Sequence, residues 1–253
     1  MAELSDKFSK AVITERRDFS HDLWAVRVQA ENKVPFKPGQ YATFGVVEGG
    51  KVIERPYSIV SSPYEDTLEF FIELVPEGEL TPRLHKLNVG AELVMRKVAK
   101  GRFTLDQKSG HKKHFLVSTV TGVAPYCSYI RTLHRDWKEG KFPAGFEIFV
   151  LQGASRSWEF GYREELERLA AEVPWLTYVP TVSRPWEDRG WKGEVGRCED
   201  VLRKYADKFA LSPEDTTGYL CGHPQMTENS KGILQRRGFP KELLREEQYW
   251  VQK

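Results

Sequence analysis

Four consecutive residues in the first half of the chain combine side chains that rarely occur together. They place a cation, a rigid ring, an aromatic ring and a hydroxyl side by side, and they are Arg55, Pro56, Tyr57 and Ser58. Arginine offers a planar fork of donors that suits phosphate oxygens, and a tyrosine ring stacks on flat groups. The motif therefore indicates an aromatic ligand that carries phosphate. An ordinary β-strand, which the motif would begin, explains the same residues about equally well.

A second segment offers another feature that favours phosphate. Thr81 is followed by Pro82, a pair that indicates a helix start with threonine as the N-cap and proline in the first turn. A helix N-terminus attracts anions through its free N–H groups and its dipole. We therefore expect Arg55 and this helix start to form one pyrophosphate site.

The first part of the chain has the pattern of a small antiparallel barrel. Segments rich in β-forming residues are separated by Pro/Gly turns, and they span residues 23–28, 41–47, 67–75 and 92–97. Several short strands with few helices favour such a barrel. The polar stretch 106–114 is predicted to be a connection.

After this connection, apolar strands alternate with helical patterns. The predicted strands are 115–119, 146–152, 176–182 and 218–222, and the predicted helices are roughly 125–138, 162–172, 199–209 and 224–237. This alternation predicts a parallel sheet with helices on both faces. Ligands of such sheets bind beyond the carboxyl ends of the strands, so the residues that follow each strand are the candidates for binding.

Composition excludes several classes of protein. The chain has 253 residues, a formal charge of +2 that gives no reason to expect nucleic acid, and three widely spaced cysteines. An iron–sulphur cluster needs about four cysteines, and no metal-site spacing appears. The charge-free run 115–130 is shorter than the ~20 residues of a membrane span, and no secretory signal is visible. We expect a cytoplasmic protein without metal.

Five motifs in order resemble one known family. They are RPYS at 55–58, GELT at 78–81, TGVAP at 121–125, CGHPQM at 221–226 and the aromatic pair at 249–250. This combination resembles the ferredoxin–NADP+ reductases, above all their bacterial flavodoxin/ferredoxin–NADP(H) branch. The resemblance implies a six-stranded antiparallel β-barrel that binds FAD over residues 1–108. A Rossmann-like α/β domain that binds NADP(H) would follow over 109–253, with a C-terminal tail returning to the flavin.

The resemblance also implies residue roles on the flavin side. Arg55 would contact the pyrophosphate, Tyr57 would pack against the isoalloxazine, and Ser58 would bond near its N5 atom. Tyr249 would cover the isoalloxazine, and Trp250 would lie against the adenine. The other positions implied for FAD are Pro56, Phe71, Glu79, Leu80, Thr81 and Thr121.

On the NADP(H) side, residue chemistry and resemblance agree. Arginines after strands or before helices suit a 2′-phosphate, whereas a free ribose hydroxyl calls for an acid. Val120 stands where the family usually has glycine, so we expect lost backbone freedom there. Cys221 is either a small buried apolar residue or a positioning group for the nicotinamide. The positions implied for NADP(H) are Thr121, Gly122, Ser155, Arg156, Ser183, Arg184, Arg197, Cys221, Gly222, Pro224 and Gln225.

The activity implied is electron transfer between NADP(H) and a one-electron carrier protein, ferredoxin or flavodoxin. A hydride would pass to flavin N5 and electrons would leave singly, with Tyr57, Ser58, Cys221 and Tyr249 at the reacting centre. The basic stretch 97–113, whose one acid is Asp106, either steers an acidic carrier or is a solvated linker. Two alternatives stay open: an NADPH-dependent reductase for free flavins, quinones or an oxygenase component, and a non-catalytic flavin-binding electron-transfer subunit. Relatives are mostly monomeric, so we expect a monomer.

Overall fold

The computed structural model describes residues 6–106 and 108–249. Their contacts divide them into two compact units. The first unit holds the residues up to Leu105 together with Ala124–Arg135, and the second holds Asp106–Val123 and the residues from Asp136 onward. Within these described ranges, every helix is too short or too polar to cross a membrane.

The first unit is built on a six-stranded antiparallel sheet. Its strands are β1 (Phe8–Asp18), β2 (Leu23–Ala30), β3 (Tyr41–Glu48), β4 (Lys51–Ser58), β5 (Leu68–Glu73) and β6 (Glu92–Arg96). They pair in the order β4-β3-β6-β1-β2-β5. A bridge between Ile59 and Phe70, with the Val60 N–H donating to the Glu69 carbonyl at 2.8 Å, joins the two outer strands. The sheet thus closes into the barrel that the sequence predicts.

Alternate side chains along the strands form the core of the barrel. Leu68, Phe70 and Ile72 of β5 belong to the central apolar cluster, while Glu69 and Phe71 between them do not. Strand β1 escaped sequence analysis because five of its eleven residues are charged, which hides the apolar residues. A register shift between Ile13 and Glu15 interrupts its alternation further.

The RPYS motif lies at the end of a strand, so the prediction that it begins one was wrong. Strand β4 starts at Lys51, directly after a turn formed by Gly49 and Gly50, whose φ angles are 55° and 77°. Two residues with positive φ give the tight hairpin that joins β3 to β4. Ser58 is the last residue of β4 and pairs with Tyr41.

The helix start at Thr81 also differs from the prediction. Helix α1 (Thr81–His85) has Leu80 as its N-cap residue, without a side-chain cap. The Thr81 hydroxyl instead donates to the Val75 carbonyl at 3.1 Å and accepts the Val75 N–H at 3.0 Å. The hydroxyl thus holds the preceding loop. The five-residue helix is too short for its dipole to form an anion site.

The second unit has the predicted parallel sheet. Its strands are β7 (Lys113–Thr119), β8 (Glu147–Ala154), β9 (Leu176–Val182), β10 (Glu194–Val195), β11 (Thr216–Gly222) and β12 (Leu244–Gln248), in the order β10-β9-β8-β7-β11-β12. The helices are α2 (Ala124–Lys138), α3 (Arg163–Glu172), α4 (Cys198–Lys208) and α5 (Pro224–Arg236). They agree with the predicted ranges within one or two residues.

Helix α4 shows why the helical prediction succeeds. Its buried residues recur at spacings of three and four, and they are Cys198, Val201, Leu202, Tyr205 and Ala206. These side chains pack with α5 against apolar residues of β7, β8 and β11.

The first three turns of α2 pack within the first unit. The Tyr129 hydroxyl donates to the Phe103 carbonyl, and the Ser128 hydroxyl donates to the Ser61 carbonyl at 2.7 Å. Arg131 pairs with Glu69 of β5 at 2.7 Å. The barrel strands are therefore completed by a helix that comes later in the chain.

Candidate functional site

Strand order places a switch point between β7 and β11. From β7 the chain proceeds outward through β8, β9 and β10, and it then returns to form β11 on the other side of β7. In open α/β sheets, ligands bind at the carboxyl edge where the strand order reverses. The TGVAP and CGHPQM motifs follow these two strands, so the structure brings both motifs to the switch point.

The two motifs meet through bare backbone. A Cβ atom on Gly122 would lie 2.3 Å from the Cys221 carbonyl oxygen, and one on Gly222 would lie 2.4 Å from the Thr119 Oγ1. The Thr119 hydroxyl accepts the N–H of His223 at 2.9 Å. Glycine is required at both positions because the two turns are in contact. The two glycines thus let the turns after β7 and β11 pack directly against each other at the carboxyl edge.

Val120 adopts the conformation that a glycine would take freely. Its φ is 42°, which is rare for a β-branched residue. The side chain packs against an apolar cluster of Ala154, Phe160 and Val182, and the Gln152 amide donates to the Val120 carbonyl at 3.3 Å. The structure shows which backbone shape Val120 adopts, while the expected loss of backbone freedom stays a prediction. The backbone shape is kept, and the surrounding contacts offset a strain of about 1–3 kcal/mol.

Cys221 is buried beside the end of the chain's last described strand. Burial raises the pKa of the Cys221 thiol well above its usual value, Glu247 raises it further, and the nearby Tyr249 side chain lowers it. The Tyr249 N–H donates to the Gly222 carbonyl at 2.9 Å. The thiol is therefore neutral and unsuited to act as a nucleophile. Tyr249 and Cys221 lie together, and Trp250 lies outside the described residues.

Two similar turns follow the neighbouring strands β8 and β9. We call residues 155–159 the first arginine turn and residues 183–187 the second arginine turn; both read Ser-Arg-x-Trp-Glu. The Ser183 N–H donates to the Ala154 carbonyl and the Arg184 N–H to the Ser155 carbonyl, each at 3.0 Å. The Ser157 N–H donates to Asp188 at 2.9 Å. These bonds hold the two turns against each other.

The arginine side chains of both turns are paired with glutamates. Glu159 accepts from Arg156 at 3.0 Å, and Glu187 accepts from the Arg156 Nε at 2.8 Å and also from its Nη2. The other oxygen of Glu187 lies 3.8 Å from Arg184. Sequence analysis missed both acids. The repeated Ser-Arg-x-Trp-Glu pattern is the signal that identifies them, because it puts an acid three residues after each arginine.

The remaining NADP(H) candidates lie at helix starts. Arg197 precedes α4, is exposed, and donates its N–H to Asp200 at 3.2 Å. At the start of α5, the Gln225 N–H donates to the His223 ring at 3.2 Å. His223 is thus the N-cap residue of this helix.

The FAD candidates of the first unit cluster around the end of β4. Arg55 donates to the Glu54 carbonyl at 2.8 Å and to Glu79 at 3.0 Å, and its side chain is 42% exposed. Tyr57, two residues on and therefore on the same face, packs on Phe44 with ring centroids 4.8 Å apart. Burial raises the Tyr57 pKa, so the phenol stays neutral. A partly exposed guanidinium beside a half-buried ring fits a phosphate and a flat ring system.

Other predicted FAD positions differ in what they can offer. The Leu80 side chain lies in the barrel core, so its backbone groups alone are candidates. Phe71 is buried and meets Phe19 edge-on at 5.3 Å. Thr121 of the second unit is buried. Throughout the described ranges, no group of three or more His, Cys, Asp or Glu residues is arranged to hold a metal.

Family models match both parts of the chain. A model described as an oxidoreductase FAD-binding domain matches residues 10–105, and one described as an oxidoreductase NAD-binding domain matches residues 116–231. The ferredoxin–NADP reductase A of Sorangium cellulosum is 29% identical over 246 residues, covering 92% of this chain and 84% of that protein. The ferredoxin–NADP reductase of Pseudomonas aeruginosa is 27% identical over 244 residues, covering 93% and 92%.

The chain is also similar to an oxygenase electron transfer component and to a solved reductase structure. The xylene/toluene monooxygenase electron transfer component XylA of Pseudomonas putida is 27% identical over 241 residues, covering 93% of this chain and 64% of that protein. A ferredoxin NADP+ reductase structure from Neisseria gonorrhoeae, with bound FAD and NADP, has a TM-score of 0.82 at 23% identity, covering 97% of this chain and all of that one. The chain is therefore an oxidoreductase that combines an FAD-binding domain with an NAD-binding domain, and it is similar to ferredoxin–NADP reductases over most of its length.

Proposed function

We propose that this protein moves electrons between NADP(H) and a small one-electron carrier protein, ferredoxin or flavodoxin. The observation that supports this most is the meeting of the Gly122 and Cys221–Gly222 turns at the switch point, beside two arginine turns on the same sheet edge. We assign FAD binding to residues 1–108 and NADP(H) binding to residues 109–253. The names of the relatives supply the class of carrier.

The first unit would hold the flavin by the residues around β4. FAD, when bound, supplies the chemistry that accepts a hydride and releases electrons one at a time. Arg55 would exchange its Glu79 partner for a pyrophosphate oxygen, since both are anions within reach of the same guanidinium. The Tyr57 ring would offer a flat apolar face, and the buried Ser58 would offer a hydroxyl to a ring edge.

The second unit would bind the nicotinamide coenzyme along its carboxyl edge. Gly122 and Gly222 bring the turns after β7 and β11 together at the switch point, where the nicotinamide would approach. Cys221, as a neutral thiol, would help to position that ring, and Tyr249 would lie at the same place. Arg156 and Arg184 would meet the 2′-phosphate, and Arg197 would add positive charge from the start of α4.

Basic residues of the stretch 97–113 would attract an acidic carrier. Of the stretch 97–113, the exposed cations are Lys97, Lys100, Arg102, Lys108 and Lys112. Lys113 is instead paired with Asp215 at 2.9 Å, and Asp106 is paired with Arg245 at 3.0 Å. The local excess of positive charge therefore remains after these pairs form, and long-range attraction would speed encounter with an acidic protein.

The decisive experiment uses the absorption spectrum of the purified protein. A bound flavin gives a yellow protein, and NADPH added without oxygen should bleach it faster and at lower concentration than NADH. A colourless protein that takes up no FAD on reconstitution, or a yellow one that neither coenzyme bleaches, would refute the proposal.

A second candidate is an NADPH-dependent reductase for free flavins, quinones or an oxygenase component. The similarity to XylA, which this chain matches over 93% of its own length, supports it. Turnover of the reduced protein with ferredoxin, flavodoxin and free flavin as separate acceptors distinguishes the two. Fast reduction of ferredoxin or flavodoxin favours the first proposal. Acceptance of free flavin alone favours the second.

A further inference from the structure

The two arginine turns have the same sequence pattern but use their glutamates differently. In the first turn, Glu159 accepts the N–H of Ser155 at 2.8 Å as well as the Arg156 side chain. In the second turn, the corresponding Ser183 N–H is already bonded to the Ala154 carbonyl. Glu159 therefore builds its own turn. The side chain of Glu187 instead contacts the arginine of each turn.

Glu187 bridges the two arginines with its two carboxylate oxygens. Oε2 accepts from Arg156 at 2.8 Å, and Oε1 lies 3.8 Å from Arg184. A phosphate monoester would present its oxygens to the same two guanidinium groups, since both anions suit the arginine fork. The carboxylate thus stands where the proposed function puts the 2′-phosphate.

The charges of this cluster balance. Arg156 and Arg184 supply two positive charges, and Glu159 and Glu187 supply two negative ones. A phosphate monoester carries about −1.5 to −2 charges at neutral pH, so it would enter a cluster with no net attraction. Glu187 is 36% exposed and lies at the end of a short exposed turn. It can therefore turn toward solvent and leave both arginines to the phosphate.

We propose that Glu187 is an internal competitor for the 2′-phosphate and thereby sets the preference between NADPH and NADH. This inference rests on the proposed function, because it needs the coenzyme to bind at the arginine turns. The same carboxylate would accept a hydrogen bond from the free 2′-hydroxyl of NADH. Its removal should therefore strengthen binding of one coenzyme and not of the other.

The test is Glu187→Gln in the FAD-loaded protein, with Glu187→Ala as a second variant. Calorimetry with adenosine 2′-phosphate and with adenosine measures binding without turnover. Steady-state kinetics with ferricyanide as electron acceptor then give the KM values for NADPH and NADH. We expect the Kd for adenosine 2′-phosphate and the KM for NADPH to fall about two- to fivefold, the range of a partly exposed charge pair. The KM for NADH should stay the same or rise.

Glu167→Gln is the matched control. It removes the same charge from a similarly exposed ion pair, with Arg163 at 2.6 Å on α3. Equal changes for both coenzymes, no change in either Glu187 variant, or the same gain in Glu167→Gln would overturn the proposal. If adenosine 2′-phosphate binds neither the unaltered protein nor the variants, the proposed coenzyme site itself is wrong.

Discussion

At the scale of single residues, substituting Arg184 tests the preference for NADPH over NADH. Half of this side chain is exposed, and Glu187 is the acid recorded beside it. Replacing Arg184 with alanine should raise the KM for NADPH about tenfold or more, since charge-assisted hydrogen bonds contribute about 1.5–3 kcal/mol. NADH lacks the 2′-phosphate, so its KM should change little. Steady-state kinetics with both coenzymes measure the difference, and equal losses would contradict the assignment.

Substituting Tyr249 tests whether the nicotinamide must displace the tyrosine ring in order to bind. The residue lies beside Cys221 and Gly222, where we propose that the nicotinamide binds. In Tyr249→Ser we expect tighter NADP+ binding, because no ring has to be displaced, and an altered rate of hydride transfer. Binding titrations and stopped-flow absorbance measure these quantities. Tyr64→Ser, at an exposed tyrosine of the first unit, is the control. Unchanged affinity and rate would refute the competition.

At the scale of elements, a substitution at Gly122 tests the contact between the two turns at the switch point. A methyl group there would lie 2.3 Å from the Cys221 carbonyl, so one turn must shift. We expect Gly122→Ala to lower the melting temperature and to raise the KM for both NADPH and NADH. Gly232→Ala, in the middle of α5, should instead leave both coenzymes unaffected and add about 0.5–1 kcal/mol of stability. Unperturbed kinetics in Gly122→Ala would contradict the proposed placement.

His114 of β7 makes the stability of the second unit depend on pH. Its ring lies beside Tyr219 of β11, 3.2 Å from the phenolic oxygen, and burial lowers its pKa to about 4. The unfolded state, with a pKa near 6.5, binds the proton first as the pH falls, so stability is lost from about pH 6.5 down to about 4. Between pH 7 and 5 the loss should be about 2 kcal/mol.

Denaturant unfolding at pH 7 and pH 5 measures this loss. A His114→Leu variant should be less sensitive to the change of pH than the unaltered protein. His21→Gln, which replaces a fully exposed histidine of the first unit, should show the unaltered sensitivity. If the His114 variant and the unaltered protein lost the same stability, the histidine would not be responsible.

Elements with regular periodicity were predictable, and those with mixed charge were not. Strand β9 and helices α2 to α5 follow from apolar repeats. In contrast, β12 reads Leu-Arg-Glu-Glu-Gln and β10 has two residues, so neither has a period to detect. At the site, the arginines were predictable from their positions after strands. The bridge from Glu187 to Arg156 was not, because it joins residues 31 positions apart.

At the scale of the whole molecule, we expect surface charge to affect the encounter with the proposed carrier protein. The exposed cations between Lys97 and Lys112 should make reduction of an acidic carrier slower as salt rises, because screening shortens the range of attraction. We expect Lys97→Glu with Lys100→Glu to lower the second-order rate constant severalfold at low salt and to weaken its dependence on salt. NADPH reduction of ferricyanide is the control. A carrier rate insensitive to ionic strength would contradict docking there.

The barrel is assembled from segments that are discontinuous in the chain. Three side chains of α2, Ser128, Tyr129 and Arg131, bond to residues 61, 103 and 69 of the barrel. A fragment that stops at residue 108 would therefore lack this part of α2, and the barrel groups that the helix covers would be exposed. Any split version or hybrid of this protein must keep residues 124–135 with the amino-terminal half, for instance by circular permutation, even though they follow the first strand of the other fold.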